Sequence, residues 1–217
     1  MLPGTLFFQT ALPFAEITFF PADGAPPREK VFPSALRGEE LADEILSLLA
    51  GEKPARVATV VGPGGFTGVR VAVAAANAIA FAAEIPAAGV SSFNWLRARV
   101  GAAPSQEVLL FGGREILREK ENGAEIEFLP AEDSLADFLP RWRAASALAE
   151  ILALAVPSFF LEKPSPDPSL EERENSPAAA FASLSSSLEW QEELAPRYAR
   201  APTITLSKKK VSFAAAS

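Results

Sequence analysis

The stretch from Val57 to Ala83 constrains the fold more than any other part of the chain, because it combines an apolar run, a glycine turn and an alanine-rich segment. Val57–Val61 is apolar apart from Thr59 and rich in β-branched residues, which predicts a strand buried on both faces of a sheet. Proline fixes its own φ and glycine reaches conformations closed to other residues, so a sharp turn is predicted at Gly62, Pro63, Gly64 and Gly65. The alanines that follow favour a helix from Phe66 to Ala83.

The predicted helix is apolar around almost its whole circumference. On a helical wheel its polar residues, Thr67, Arg70 and Asn77, fall within about 80° of one another. A surface helix buries only one stripe, so this helix needs cover from a second side as well. Small residues recur at a spacing of four, which allows a second helix to approach closely, at Gly68, Ala72, Ala76 and Ala80. Two interpretations stay open: the helix is enclosed by its own domain, or one face contacts a partner protein.

A glycine-rich turn before a helix also suggests a phosphate site, since helix N-termini attract anions. The spacing argues against such a site here. The turn has no lysine followed by serine or threonine as in a P-loop, and Thr67 stands where the third glycine of G-x-G-x-x-G is required. The nucleotide signal is therefore weak, and we predict no cofactor and no metal.

The turn and its flanks resemble the TsaB (YeaZ) family, whose pattern is GPGSFTG-[LV]-R-[IV]-G, a helix, and then IP and GVSS. The matching residues are Gly62 to Val71, the small-residue helix, Ile85-Pro86 and Gly89 to Ser92. Three positions depart from the pattern: Gly65 replaces serine, Ala72 replaces glycine, and Asn77 replaces lysine. The resemblance is strongest from about Leu6 to Leu96.

This resemblance implies an α/β, two-lobe fold of the actin-like ATPase superfamily with a degenerate nucleotide site. It also implies a non-catalytic subunit that pairs with a TsaD-type protein and, with a TsaE-type ATPase, supports threonylcarbamoyl transfer to the adenosine beside the anticodon of tRNA. A homodimeric scaffold using the same helix, or a degenerate M22-type peptidase-like protein, is the alternative.

The resemblance places the partner interface on two helices. On the helix after the glycine turn the predicted contacts are Phe66, Thr67, Val69, Arg70, Ala72, Val73, Ala76, Asn77 and Ala80. On the amphipathic helix predicted over Glu39 to Leu49, the outer face carries Glu40, Asp43, Glu44 and Ser47. A solvated acidic face is an equally good interpretation of that second set. Gly62 to Gly65 and Gly68 are assigned a structural role in the turn.

Two acidic positions of the ancestral nucleotide cleft are missing. The family's first strand normally ends in Asp-Thr or Asp-Ser, whereas this chain has Gln9-Thr10. An uncharged amide cannot replace a carboxylate on a hard cation such as magnesium. In the hairpin predicted further along, Phe111-Gly112-Gly113-Arg114 replaces an Asp-Ala-Arg-Arg stretch.

Composition restricts the function further. The 217 residues include no histidine and no cysteine, which removes the commonest general base, the commonest metal ligand and any disulfide. The net charge of −7 argues against tight, direct binding of a nucleic-acid backbone, so tRNA contact is expected only indirectly. The longest near-apolar run, Val71 to Ala83, is short for a membrane span, and no basic segment precedes an apolar core. We expect a cytoplasmic protein without membrane contact.

The order of the remaining segments predicts three regions: an N-terminal lobe over 1–102, a smaller second lobe over 103–190, and a C-terminal segment over 191–217 that returns to the first lobe. An antiparallel meander is predicted near the N-terminus, and a three-stranded hairpin region after Glu107. Helices are predicted over Ser134–Leu139, Ser146–Ala155 and Pro177–Leu184, with a proline- and serine-rich loop from Lys163. The basic cluster Lys208 to Lys210 is interpreted as a solvated tail, with tRNA contact as the alternative.

Overall fold

The structure of the chain is a computed structural model that describes residues 2–12, 14–99, 101, 107–111, 115–119, 126–130, 151–153 and 175–199. The predicted helix over Ser134–Leu139, most of the loop after Lys163 and the Lys208–Lys210 cluster lie outside these residues.

Six strands form the larger sheet, in the order β10-β5-β4-β1-β2-β3. Their bounds are β1 Thr5–Gln9, β2 Ala15–Phe20, β3 Arg28–Phe32, β4 Arg56–Gly62, β5 Ala87–Ser91 and β10 Trp190–Gln191. The first three strands pair antiparallel, which confirms the predicted meander. Strand β4 runs parallel to β1 and to β5, so the strand before the glycine turn occupies the middle of the sheet, as its apolar sequence predicts.

Four strands form the second sheet, in the order β8-β7-β6-β9. They are β6 Glu107–Phe111, β7 Glu115–Glu119, β8 Ile126–Pro130 and β9 Ile151–Ala153. The antiparallel pairing of β6, β7 and β8 confirms the predicted three-stranded region. The helix predicted over Ser146–Ala155 is wrong at β9, which pairs parallel with β6. A short apolar run such as Ile-Leu-Ala has no periodicity that separates strand from helix, and here pairing with β6 decides.

Within the described ranges, four α-helices cover the larger sheet: α1 Gly38–Leu49, α2 Phe66–Ala83, α3 Ser92–Arg99 and α4 Pro177–Leu184. The predicted bounds of α2 and α4 are confirmed, and α1 begins one residue earlier than predicted. The apolar stripe predicted for α1 is buried, namely Leu41, Ile45, Leu48 and Leu49. Helix α3 begins with a serine cap, because the Ser91 hydroxyl accepts a hydrogen bond from the Asn94 backbone amide at 3.1 Å.

The two faces of the larger sheet carry different helices. Strand register places Leu6, Phe8 and Ile17 on one face, where α1 and α2 pack. Phe7, Gln9 and Glu16 point to the opposite face, which is covered by α3 and α4. The second sheet adds Leu110 and Leu117 to the same buried apolar cluster. The described parts of both sheets therefore share one core.

The chain returns to the larger sheet before the predicted boundary at 191. The Asn175 amide donates to the Arg99 carbonyl at 2.7 Å, which attaches this segment to the end of α3. Helix α4 then contacts β2 and β3, and the Ala178 amide donates to the Glu29 carboxylate at 2.9 Å. The division of the whole chain at 102/103 and 190/191 stays a prediction.

Candidate partner interface

The glycine turn between β4 and α2 contacts its own chain closely. The Gly65 amide donates to the Ala11 carbonyl at 2.9 Å, and a Cβ atom added at Gly64 would overlap that same oxygen. A Cβ at Gly68 would overlap the Thr10 carbonyl oxygen. The structural role predicted for these glycines thus has a direct cause: they let backbone carbonyls of the 10–12 segment approach the start of α2.

Gln9, which stands where the family has an acid, lies at the buried end of β1. Its amide nitrogen donates to the Phe14 carbonyl at 3.1 Å and to Glu16 Oε2 at 3.3 Å, while its oxygen accepts from the Leu12 amide at 3.3 Å. Gln9 is fully buried, and Ala11, Leu12 and Phe14 in the following segment are at most 3% exposed. The end of β1 is therefore filled by the chain's own side chains and backbone.

Glu16 is the centre of a buried polar network beneath α3. Its carboxylate accepts from Arg99 Nε at 2.7 Å and from Trp95 Nε1 at 2.8 Å, and all three side chains are buried. Burial raises the pKa of Glu16 above its ordinary value, and the nearby Arg99 guanidinium opposes that rise in part. The sequence contains no pattern that pairs residues 83 positions apart, so this network was not predicted.

The small-residue side of α2 packs inside the chain, which corrects the predicted interface. Five predicted contact residues are at most 4% exposed: Val69, Ala72, Val73, Ala76 and Ala80. They form the stripe that lies on the larger sheet, chiefly on β4. Small side chains at a spacing of four allow close approach of a sheet as well as of a helix, and here the sheet occupies that side. These five residues cannot contact a partner while the domain is folded.

Asn77 is also bonded within the chain. Its amide nitrogen donates to the Leu194 carbonyl at 3.0 Å, and its oxygen accepts from the Leu194 amide at 2.9 Å. This reciprocal pair fixes the segment that follows β10 against α2. The structure thus gives Asn77 an intramolecular role, and its contact with a partner stays a prediction.

Most of the contact residues predicted on α1 also form bonds within the chain. Glu44 pairs with Lys30 of β3 at 2.6 Å, and the Ser47 hydroxyl accepts from the same lysine at 3.1 Å. Glu40 accepts from the Arg37 amide at 3.0 Å and so caps the start of the helix. Asp43 is exposed. Three of the four predicted α1 residues therefore serve the chain's own structure.

The exposed side of α2 is largely apolar. Of the predicted contacts, Phe66, Thr67 and Arg70 lie here, with the Arg70 guanidinium 5.2 Å from the centre of the Phe66 ring. Further exposed residues of α2 were missed by the sequence analysis, among them Ala74, Ala78, Phe81 and Ala82. Phe81 is 88% exposed, and Leu46 on the adjacent α1 is 66% exposed. We call this set the outer patch: Leu46, Phe66, Thr67, Arg70, Ala74, Ala78, Phe81 and Ala82.

An open groove continues the outer patch between the C-terminal ends of α1 and α2. Its volume is about 570 Å³, and apolar side chains dominate its walls. Leu46 and Ala82 of the outer patch border it, together with Ile79, and Lys53 and Glu84 lie at its rim. Patch and groove share Leu46 and Ala82, so the apolar surface continues from one to the other, and a partner's apolar side chains can fill the groove.

Among the described residues, α2 is a helix that is both long enough and apolar enough to cross a membrane; its mean hydropathy is 1.6. The apolar stretch is longer than the run counted from Val71, because the helix begins at Phe66. Only 28% of it is buried within the chain. A core helix meets the same criterion, so the absence of membrane contact stays a prediction. The described residues include no group of three or more acidic side chains arranged to hold a metal.

A comparison with known protein families gives a match in the N-terminal half of the chain. Residues 40–117, about a third of the sequence, match the family described as TsaD, tRNA N6-adenosine threonylcarbamoyltransferase. The match spans α1, the glycine turn, α2 and the first strands of the second sheet. No curated protein sequence matches the chain.

Solved structures resemble the chain more widely. A structure described as an uncharacterized protein with similarity to peptidase YEAZ from Pseudomonas aeruginosa has a TM-score of 0.57 and 20% identity, covering 90% of this chain and 99% of that one. YeaZ from Pseudomonas aeruginosa gives a TM-score of 0.49 at 20% identity over 60% of this chain and 72% of that one. The ethanolamine utilization protein EutJ from Carboxydothermus hydrogenoformans gives 0.38 at 14% identity, over 66% and 57% of the two chains.

The α/β fold predicted for this chain is therefore confirmed, since the chain shares its fold with the YeaZ-like structure. The resemblance to the TsaB (YeaZ) family is confirmed as well, through the shared fold and through the TsaD match over residues 40–117.

Proposed function

We propose that this protein is a non-catalytic subunit that pairs with a TsaD-type protein through the outer patch. With a TsaE-type ATPase as a further component, the pair supports transfer of threonylcarbamoyl to the adenosine beside the anticodon of tRNA. The match to the TsaD family and the YeaZ-like fold support this assignment. The protein works in the cytoplasm, as the sequence leads us to expect.

The outer patch is the observation that carries the proposal. Three large apolar side chains are exposed on neighbouring helices: Phe81 at 88%, Leu46 at 66% and Phe66 at 43%. Contiguous apolar surface rimmed by polar residues is typical of protein interfaces. Arg70 and Asp43, which are both exposed, add a charge of each sign beside the apolar surface. A partner helix with an apolar stripe and flanking charges has the complementary chemistry.

The filled end of β1 supports the non-catalytic role. In the superfamily an aspartate at this position handles magnesium and phosphate, whereas here Gln9 is buried and bonded to Phe14 and Glu16. The buried Glu16 carboxylate is engaged by Arg99 and Trp95. Neither group faces solvent, so neither is placed to bind a nucleotide. Contact with tRNA is indirect, since the chain carries a net charge of −7.

A single substitution in the outer patch tests the pairing. Ala78→Glu places a charge in the centre of the apolar contact, and burying it without a counter-ion costs several kcal/mol. We expect affinity for the co-expressed TsaD-type protein from the same cell to fall by at least about 100-fold. Ala182→Glu is the matched control, because Ala182 is also an exposed alanine, on α4 at the opposite side of the sheet. Calorimetry on the purified proteins measures both affinities.

Nucleoside mass spectrometry tests the role in the cell. After depletion of the protein, threonylcarbamoyl-adenosine should be lost from tRNA, restored by the wild type and by Ala182→Glu, and not restored by Ala78→Glu. Unchanged modification after depletion, with no second copy of the gene, would reject the proposed function. A wild-type protein that binds no TsaD-type chain and forms a dimer disrupted by Ala78→Glu would favour the homodimeric scaffold instead.

A further inference from the structure

One carboxylate of the second sheet links that sheet to two parts of the first lobe. Glu119, at the end of β7, has a side chain only 9% exposed. Its Oε2 accepts from Arg97 Nη1 of α3 at 3.0 Å, and its Oε1 lies 3.8 Å from Arg197 Nη1 in the segment after β10. One part-buried negative charge thus lies near two arginines that are 100 residues apart in the sequence.

Arg197 is held on its other side by the glycine turn. Its backbone amide donates to the Val61 carbonyl at 2.6 Å, and a Cβ atom added at Gly62 would overlap its carbonyl oxygen. Gly62 has a φ of +105°, which favours glycine as well. The backbone of residue 197 is therefore seated between the turn and the second sheet.

The next residue reaches the outer patch. The ring of Tyr198 lies 5.1 Å from the ring of Phe66, centre to centre, and Arg70 stacks on the same phenylalanine. A continuous series of contacts therefore runs from Glu119 through Arg197 and Tyr198 to Phe66. It begins in the second sheet and ends at the N-terminal end of the outer patch.

We propose that Glu119 is a positioning residue that couples the second sheet to the outer patch. By holding Arg197, it fixes Tyr198 against Phe66 and so sets the shape of the surface that meets the partner. Two arrangements follow: one with the Glu119–Arg197 pair formed and Tyr198 stacked, and one with the pair open and Tyr198 released. Whatever moves the second sheet biases this equilibrium and thereby changes the outer patch. The effect on pairing rests on the proposed function, whereas the effect on Tyr198 does not.

The sequence supplies a clean reporter, because Tyr198 is its single tyrosine. Protein labelled with ¹³C-tyrosine gives one set of ring resonances in a carbon–proton NMR spectrum, and hydrogen exchange reports the Arg197 amide that donates to Val61. Glu119→Gln should shift the Tyr198 ring resonances and speed exchange at the Arg197 amide by about fivefold or more. Glu52→Gln is the matched control: it removes the same charge from a pair with Arg28 at 2.6 Å, and it should leave both signals unchanged.

A double mutant shows whether Glu119 acts through Arg197. Arg197→Gln alone should reproduce the shift, and Glu119→Gln added to it should produce no further change. Arg197 is 35% exposed in its side chain, so this variant keeps the inference testable if circular dichroism shows that Glu119→Gln is unfolded. Tyr198 resonances and Arg197 exchange identical to wild type in folded Glu119→Gln, or in Arg197→Gln, would overturn the inference.

Affinity for the TsaD-type protein then separates the two proposals. A shifted Tyr198 with weakened pairing supports both. A shifted Tyr198 with no binding of that partner even by the wild type supports the coupling and rejects the proposed function. An unshifted Tyr198 with intact wild-type pairing rejects the coupling alone.

Discussion

The two faces of the six-stranded sheet are built from different chemistry. The sheet face towards α1 and α2 carries Leu6, Phe8 and Ile17, and apolar and small side chains of the two helices pack against it. Towards α3 and α4 it presents Gln9 and Glu16 beside aromatic rings, and α3 supplies the arginine and tryptophan that satisfy them. One face relies on close approach of backbones, and the other on a bonded polar network.

This difference explains where a partner can bind. On the α3 side, each member of the Glu16 network bonds to another group of the same chain. On the α2 side, the sheet covers only one stripe of a helix that is apolar nearly all round, and the remaining apolar surface points outward. A helix suited by its small residues to lie close to a sheet is, for the same reason, left with an uncovered apolar side. The outer patch is thus a consequence of how α2 packs.

The largest effect on stability should come from placing the same charge on the buried side of α2 and comparing it with the exposed side. Ala76 is fully buried on the sheet, and Ala78, two residues on, is exposed. Ala76→Glu should destabilise the protein by about 4 kcal/mol or more, because the carboxylate is buried without a partner. Ala78→Glu, with the same change of helix propensity and charge, should alter stability by no more than about 0.5 kcal/mol.

Urea denaturation followed by circular dichroism measures both variants. If Ala76→Glu were as stable as the wild type and had lost only its pairing, the inner stripe would be the interface, as the family resemblance implies. The comparison between the two sides of α2 would then be reversed.

The next largest effect concerns the polar face. Arg99→Met should cost about 3–5 kcal/mol at neutral pH, since it leaves the buried Glu16 carboxylate without its counter-ion. Arg99 opposes the rise in the pKa of Glu16, so its removal raises that pKa further. A carboxyl whose folded pKa is raised stabilises the fold fully below its unfolded value of 4.5, and this contribution is lost as pH rises through the folded pKa.

The deficit of Arg99→Met relative to wild type should therefore be smallest below pH 4.5 and should grow towards neutral pH. Adding Glu16→Gln removes the buried charge, so the double mutant should recover stability at neutral pH and lose the pH dependence of the deficit. Chemical denaturation across this pH range measures it. A deficit that is constant with pH would show that Arg99 acts by packing alone.

Local pattern was sufficient to predict most elements of the described chain. The bounds of α2 follow from the glycine turn before it and the alanines within it, and the stripe of α1 follows from its periodicity. The sides of α2 could not be assigned in this way. A helix that is apolar all round gives no hydropathy contrast between its faces, and the row of small residues fits a sheet as well as a second helix. Only the position of β4 beneath the helix decides.

Long-range polar contacts could not be predicted from the sequence for a related reason. Glu16 and Arg99 belong to different elements, and nothing in the local sequence around either one marks the other as its partner. Glu44 and Ser47 have the exposed helical positions expected of a contact surface, yet Lys30 of the adjacent strand reaches both. Such pairings depend on which strand edge lies beside which helix, and the sheet order sets that.

The smallest effect tests a polar contact on the apolar side. The Asn77 side chain donates a hydrogen bond to the Leu194 carbonyl and accepts one from the Leu194 amide. An amide side chain can do both because it carries a donor and an acceptor on one planar group. The family's lysine at this position has donors and no acceptor, so Asn77→Lys would leave the Leu194 amide without its partner.

We expect Asn77→Lys and Asn77→Ala each to cost about 1–2 kcal/mol, less than the loss of Arg99, because a neutral and partly exposed contact is replaced. Thr67→Ala, at an exposed position of the same helix, should stay within about 0.5 kcal/mol of wild type. Urea denaturation gives the stabilities, and hydrogen exchange at Leu194 shows whether its amide has lost protection. If Asn77→Lys kept both wild-type stability and a protected Leu194 amide, the departure from the family's lysine would have no structural cause in this contact, and its origin would have to be sought at the outer patch.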